Sequence, residues 1–197
     1  FSLVHRVSTR EAMKAEIERL AALGVGILER GEVSSVLGTV SYAYFDTLKE
    51  GKYSLGLVYA AETQSAEMPA QAPMNLKLSQ YAFVVRDPRQ VSAYWRRLGF
   101  PEMTFTHDGL RDLIHRGNPG HFDQVLGWQR HGDVVYEWIQ PLKGPTVYEE
   151  HLKVHGEGFH HLAFDTDDID RVTALWAEKG FAPVQSGAWG EAGKAGS

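Results

Sequence analysis

One supersecondary unit occurs three times along the chain. Each copy has a short apolar strand, a turn, an amphipathic helix and a glycine that ends the helix. In every copy, a polar residue in or next to the strand lies 19 residues before this glycine: His5 and Gly24, Gln80 and Gly99, His161 and Gly180. Three equal separations indicate an internal repeat, which constrains the fold before any single residue is given a role.

Composition narrows the functions that such a repeat can serve. The chain has 197 residues, a formal net charge of −5 and no cysteine. Acidic and basic residues are interspersed, so we expect a small-molecule partner rather than nucleic acid or a membrane surface. Without cysteine, a metal must be held by histidine, carboxylate or amide groups. The sequence predicts neither a transmembrane helix nor a secretory leader, and we expect a cytoplasmic location.

The order of elements predicts an α+β protein made of tandem βαβββ modules. The first module spans residues 1–62, and a polar linker without apolar period follows at 63–74. The second module spans 75–143 and includes one strand predicted within 103–115. Residues 144–197 hold a bridging helix and a third copy that is only βαβ, because ten residues remain after Gly187. We expect another chain, another module or residues beyond this sequence to cover the open sheet edge.

The strand of the third copy contains two adjacent histidines in an otherwise apolar segment. Phe159 to Phe164 is apolar and aromatic apart from two adjacent histidines. A two-residue period sends His160 and His161 to opposite faces, so we expect one to face a cavity and the other the helix layer. Asp167 or Asp168 is suited to cap the helix that follows.

The repeated modules, together with residues 137–142 and 156–164, resemble the vicinal oxygen chelate superfamily. This superfamily includes glyoxalase I, bleomycin-resistance proteins, extradiol dioxygenases and methylmalonyl-CoA epimerase, and the epimerase-like branch is the most similar. The resemblance implies that two modules pair into a cupped mixed sheet with helices outside and a divalent metal in the cup. Residues 1–62 resemble the second half of such a pair. We therefore expect a four-module protein, or a homodimer, to complete the sheet.

The resemblance also implies which residues hold the metal. Gln80 and His161 stand at the first-strand positions of the second and third modules, and Glu137 stands at the last-strand position of the second. His5 takes the first-strand position in the first module, where Tyr59 replaces the expected carboxylate. A set of Gln, Glu and His is rich in oxygen and suits Mn, Fe, Co or Mg, with Zn also open.

Each of these residues has a structural alternative. A lone buried carboxylate is costly unless a cation or hydrogen bonds compensate it, so Glu137 is either a ligand or paired with an arginine such as Arg111 or Arg116. His161 is either a ligand or a histidine packed under a helix. His151 and His155 lie four residues apart without the glutamate of a zinc-protease motif, which favours a solvated helix face.

The chemistry of the superfamily implies stabilisation of an enolate or similar oxyanion beside a metal. We expect a metal-dependent isomerase or lyase, epimerase-like, that acts on a small oxygen-bearing substrate. His107 and Asp108 are the candidates for proton transfer, because no glutamate stands at the position of the epimerase base. The alternatives are a ring-cleaving dioxygenase, a non-catalytic binding protein of the bleomycin-resistance type, and a scaffold that serves assembly only.

Overall fold

The computed structural model describes residues 1–35, 38–61, 76–107 and 110–189. These residues form two compact units, one of residues 1–61 with 93–100 and the other of residues 76–92 with those from 101 on. The predicted linker and Asp108 lie outside the described residues. Within the described ranges, no helix has the length and apolar character that a membrane crossing requires.

The first unit is a four-stranded sheet with a helix between its first two strands. Its elements, in chain order, are β1 (Ser2–Arg6), α1 (Arg10–Ala22), β2 (Ile27–Ser35), β3 (Gly38–Phe45), α2 (Leu48–Gly51) and β4 (Ser54–Ala60). The sheet order is β1-β4-β3-β2, in which β1 and β4 are parallel and the other pairs antiparallel. This order is the βαβββ arrangement that the sequence predicts, with a short helical turn before the last strand.

The second unit contains two sheets. Its elements, in chain order, are β5 (Lys77–Val84), α3 (Pro88–Arg97), β6 (Thr104–His107), β7 (Arg111–His115), β8 (Asn118–Pro119), β9 (Asp123–His131), β10 (Val134–Lys143), α4 (Val147–Val154), β11 (Gly158–Asp165), α5 (Ile169–Glu178) and β12 (Gln185–Ala188). The second half of α3 groups with the first unit. The larger sheet has the order β11-β5-β10-β9-β6, and the smaller has the order β12-β7-β8.

Two strand pairs join the second and third copies of the repeat. Strand β11 of the third copy lies antiparallel to β5 of the second copy, and β12 lies antiparallel to β7. Strand β5 is parallel to β10 on its other side, as β1 is to β4 in the first unit. The α+β class and the side-by-side pairing of two modules are therefore confirmed.

The prediction of a single strand within residues 103–115 is wrong. Its first part, β6, pairs with β9 in the larger sheet, whereas its second part, β7, pairs with β8 and β12 in the smaller one. Within β7, Asp112 has a φ of 54°, a left-handed conformation that interrupts regular extension. The two halves separate because they have different partners.

One face of the larger sheet packs against α4. Ala82 and Val84 lie on this face because alternate residues of a strand share a side. They form a buried cluster with Leu126 and Ile139, against which Tyr148 and Leu152 of α4 pack. The first turn of α4 is thus held over the middle of β5 and β10.

Candidate functional site

Three of the residues predicted as metal ligands meet on the sheet face that α4 covers. Glu137 of β10 and His161 of β11 are both in register with Ala82 of β5, one on either side. Gln80 precedes Ala82 by two residues and shares its face. The side-chain nitrogen Nε2 of Gln80 donates to Oε2 of Glu137 at 2.7 Å, and Nε2 of His161 is 3.9 Å from the same oxygen. The methyl group of Ala82 leaves room for this meeting.

The carboxyl group of Glu137 lies in the interior, since the residue is only 7% exposed. Burial raises the pKa of Glu137 to about 7, and the hydrogen bond from Gln80 acts in the opposite direction. The two arginines expected as alternative partners pair elsewhere: Arg116 with Glu150 at 2.6 Å, and Arg111 with Asp112. A carboxylate whose charge is disfavoured by burial gains most from a cation placed beside it.

Strand β11 has a bulge at His160. Phe159 is in register with Phe83 and His161 with Ala82, so His160 is an extra residue between adjacent pairs. The Nδ1 atoms of His160 and His161 are 2.8 Å apart. The prediction that the two rings take opposite faces is therefore wrong, because the bulge interrupts the alternation. Burial lowers the pKa of His160 to about 4 and also lowers the pKa of His161.

A cavity of about 670 Å³ opens onto the meeting point. Gln80, Glu137 and His161 line it together with Tyr148. Apolar side chains also line it: Leu113 of β7, and Leu110, Phe122 and Trp189 from segments next to the strands. Its size and mixed lining are those of a small-molecule site.

Tyr148 is a site residue that sequence reasoning missed. It lies in the first turn of α4, which Thr146 and Glu149 start with a reciprocal capping box. Burial and the charge of Glu137 raise the pKa of Tyr148 to about 12, against the effect of a hydrogen bond with Gln185. The phenol is protonated at neutral pH, as an ordinary tyrosine is, and its O–H can donate. The capping pattern marks the helix start, but not the surface that it faces.

His5 belongs to the first unit, whereas Gln80, Glu137 and His161 belong to the second. It is on β1, and its ring meets that of Phe100 edge-on with centroids 5.8 Å apart. Burial lowers the pKa of His5. The structure does not bring His5 into the cavity lining that it describes, and its role as a ligand stays a prediction.

The two residues predicted for proton transfer have different outcomes. His107 ends β6 with its side chain 61% exposed, and its Nε2 is 2.7 Å from Oδ1 of Asp123. It is not among the described residues that line the cavity. Asp108 lies outside the part of the chain that the structure describes.

Gln80, Glu137 and His161 offer an amide oxygen, a carboxylate and an imidazole, which are atom types that divalent cations bind. Metal bonds of about 2.0–2.2 Å place two ligand atoms of one ion roughly 3 Å apart. Nε2 of His161 and Oε2 of Glu137 are 3.9 Å apart, so the two side chains would have to move closer together to share an ion. Gln80 has only to turn its amide so that oxygen replaces nitrogen. Among the described residues, no group of three or more His, Asp or Glu is placed to hold a metal. A cation at this point would have only Glu137, His161 and the neutral amide of Gln80 as protein ligands.

The chain is similar to known proteins in sequence and in structure. Residues 79–196 match the family described as the Glyoxalase/Bleomycin resistance protein/Dioxygenase superfamily. A search of curated proteins found no match. Among solved structures, a mutant of 4-hydroxymandelate synthase from Streptomyces coelicolor is similar, with 16% identity, a TM-score of 0.60, and coverage of 91% of this chain and 52% of that one. This likeness shows the fold, and the chain spans about half the length of the synthase.

Two further structures are similar at lower TM-scores. Methylmalonyl-CoA epimerase from Mycobacterium tuberculosis has 20% identity and a TM-score of 0.41, over 58% of this chain and 70% of that one. A Mn(II)-bound glyoxalase from Novosphingobium aromaticivorans has 13% identity and a TM-score of 0.38, over 73% and 63% of the two chains. Because the family match at residues 79–196 covers more than half of the sequence, the chain belongs to the glyoxalase/bleomycin resistance protein/dioxygenase superfamily.

Proposed function

We propose that this chain is a metal-dependent enzyme that stabilises an enolate or similar oxyanion of a small oxygen-bearing substrate, as an isomerase or lyase does. The observation that carries the proposal is the buried carboxyl group of Glu137 between Gln80 and His161, beside a cavity of small-molecule size. Structural use alone would be served better by an apolar residue, because an isolated buried charge is costly.

The described side chains support a division of roles. Gln80, Glu137 and His161 hold the divalent cation, which when bound supplies positive charge next to a developing oxyanion. Tyr148 lines the same cavity and donates its O–H to the same oxyanion. His107 has no role in this proposal, because it is exposed and paired with Asp123.

Metal analysis of the purified protein tests the proposal. After incubation with Mn(II), Fe(II), Co(II), Mg(II) or Zn(II) and removal of excess ion, we expect about one ion per chain for at least one metal. Glu137→Gln and His161→Ala should lose it, whereas His121→Ala, a change at an exposed loop histidine, should keep it. Absence of stoichiometric metal from the unchanged protein with all five ions would contradict the proposal.

A second candidate is a non-catalytic protein that sequesters a small molecule, as the bleomycin-resistance part of the family description suggests. One contact favours it: the N–H of Gln80 donates a hydrogen bond to Glu137 and so compensates part of the cost of its burial without a cation. In that case the EDTA-treated protein binds its ligand as tightly as the metal-treated protein, and Glu137→Gln keeps ligand binding. Loss of ligand binding on metal removal favours the enzyme.

A further inference from the structure

A buried glutamine borders the cavity with its oxygen unpaired. Gln124 lies on β9 and is part of the lining that also contains Gln80, Glu137 and His161. Only 3% of the residue is exposed, and its side-chain oxygen Oε1 is buried without a hydrogen-bond partner in the protein. An amide oxygen left in this state is costly, and most buried polar atoms of folded proteins are paired. Beside a cavity, an unpaired oxygen indicates a donor that arrives with a ligand.

The register of β9 and β10 separates Gln124 from the candidate metal ligands. Gln124 pairs with Pro141, and Glu137 lies four residues before Pro141 on the same strand. At about 3.3 Å per residue, the two levels are about 13 Å apart. Gln124 shares the face of Leu126, which α4 covers, and Glu137 shares the face of Ile139 in the same buried cluster. A ligand held at Glu137 therefore reaches Gln124 only if it extends along the cavity.

The lining favours a ligand that is apolar and uncharged along its length. Among the described residues that line the cavity, none is a lysine or an arginine, and the carboxylates are those of Glu137 and Asp170. A carboxylate or phosphate group on the ligand, away from a metal, would meet no cation in this lining. The apolar side chains of Leu110, Leu113, Phe122 and Trp189 instead suit a hydrocarbon body.

We propose that Gln124 is a specificity-determining residue, whose oxygen accepts a hydrogen bond from a hydroxyl group at the far end of an uncharged, largely hydrocarbon substrate. The terminal torsion of glutamine is broad, so a turn of the amide brings Oε1 to the cavity. The substrate then has an oxygen-bearing head near Glu137, an apolar body and a hydroxyl near Gln124. The position of the head rests on the proposed function, whereas the hydroxyl at Gln124 does not.

A single aromatic ring with groups at opposite ends suits the space. Extended by a metal bond of about 2 Å at one end and a hydrogen bond of about 2.8 Å at the other, it fits within the separation of about 13 Å. The rings of Phe122 and Trp189 add aromatic surface to the lining. Aromatic hydroxyketones are therefore suitable probes of the substrate class.

Ligands that differ only at the far end test the inference. The probes are 2-hydroxy-1-phenylethanone and its derivatives with a 4-hydroxy, 4-methoxy or 4-carboxylate group. Isothermal titration calorimetry at pH 6.5 measures their binding to Mn(II)-loaded and to EDTA-treated protein. The 4-hydroxy probe should bind about 10–100-fold more tightly than the unsubstituted one, because only it supplies a hydrogen to Oε1 of Gln124. The methoxy and carboxylate probes should bind no more tightly than the unsubstituted one.

The variant Gln124→Met keeps the length of the side chain and removes the amide oxygen. In this variant the preference for the 4-hydroxy probe should fall below about three-fold, while the unsubstituted probe binds as it does to the unchanged protein. Gln90→Met, at an exposed residue of α3, should keep the full preference. A preference that persists in Gln124→Met overturns the inference. Equal binding of the 4-hydroxy and 4-methoxy probes to the unchanged protein, or no binding at millimolar concentration, overturns it even if the variant fails to fold.

The same probes separate this inference from the proposed function. If the 4-hydroxy preference and its loss in Gln124→Met are equal in EDTA-treated protein, and Mn(II) does not bind, the inference holds and the proposed function fails. If Mn(II) binds and the hydrogens next to the carbonyl group exchange with D2O, but all probes bind and exchange equally, the proposed function holds and the inference fails.

Discussion

Ionisation of Glu137 links the site to the stability of the second unit. Burial raises the pKa of its carboxyl group from an ordinary value of 4.5 to about 7 in the folded protein. The folded state therefore holds the proton more tightly than the unfolded chain. Its contribution to stability is complete below about pH 4.5 and is lost as the pH rises through about 7. At about 1.4 kcal/mol per pKa unit, the full loss is about 3 kcal/mol without metal.

The change Glu137→Gln should remove this dependence. Between pH 5 and pH 8 in EDTA, the free energy of unfolding of the unchanged protein should fall by about 2–3 kcal/mol relative to that of the variant. Urea unfolding at the two pH values measures the difference. Glu29→Gln, at an exposed carboxylate of the first unit, is the matched control and should follow the unchanged protein. Parallel pH profiles for the unchanged protein and Glu137→Gln would show that the buried carboxyl group titrates normally.

Tyr148→Phe should separate catalysis from folding. It removes the O–H that donates to the oxyanion while keeping the ring that packs on the sheet, so the rate should fall by about 10²–10³-fold with little loss of stability. Deuterium uptake from D2O into hydroxyacetone, followed by proton NMR with Mn(II)-loaded protein, measures enolate formation. Tyr42→Phe, in the first unit, is the control. Equal rates for Tyr148→Phe and the unchanged protein would remove Tyr148 from the proposed mechanism.

The convergence of Gln80, Glu137 and His161 was expected from the resemblance to the vicinal oxygen chelate superfamily. Equal spacing places Gln80 and His161 at equivalent positions of two modules, and the strand register against β5 brings Glu137 and His161 to the same level. Tyr148 was not predictable in this way, because it reaches the cavity through the packing of α4 across the sheet. The contact of His160 with His161 also escaped prediction, since a bulge depends on register against β5 and not on alternation within β11.

Helix α4 positions one wall of the site, and its first turn depends on Thr146. This residue is 1% exposed; its hydroxyl accepts from the N–H of Glu149 at 3.0 Å, while the carboxylate of Glu149 accepts from the N–H of Thr146 at 3.3 Å. Removing the hydroxyl leaves the N–H of Glu149 without this acceptor at a buried helix start.

Thr146→Ala should therefore lower the free energy of unfolding by about 0.5–2 kcal/mol, and Thr146→Ser should restore most of it. Urea unfolding monitored by far-ultraviolet circular dichroism measures both. The same change at Thr9, which caps α1 through the N–H of Ala12 at 2.9 Å, is a comparison in the first unit. A serine variant as unstable as the alanine variant would assign the effect to lost packing of the methyl group.

Helix starts were easier to predict from the sequence than the partners of strands. The helix after Asp168 begins as expected, because its side chain accepts from the N–H of Arg171 at 2.9 Å and local chemistry suffices. The division of residues 103–115 into β6 and β7 was not predictable, because each half is fixed by a partner distant in sequence, β9 and β12 respectively. Local capping is encoded nearby, whereas sheet membership is decided across the fold.

The three copies of the repeat are incorporated into different sheets. The first copy forms its own four-stranded sheet, while the second and third share a sheet through β5 and β11. All described residues that line the 670 Å³ cavity belong to the second unit. The family match at residues 79–196 covers most of this unit, together with residues 93–100 of the first. A single metal site in the second unit is therefore the expectation for the molecule, although His5 occupies the equivalent repeat position in the first.

Metal-dependent stability distinguishes one site from two. A ligand that binds only the folded state stabilises it by about 2.7 kcal/mol at a hundred times its Kd, so Mn(II) should raise the free energy of unfolding by that amount and EDTA should reverse the gain. Glu137→Gln should abolish the gain, whereas His5→Ala should leave it intact. Urea titrations with and without Mn(II) measure the three proteins under one set of conditions. A gain that survives in Glu137→Gln but disappears in His5→Ala would place the metal in the first unit and make the paired modules a binding scaffold without it.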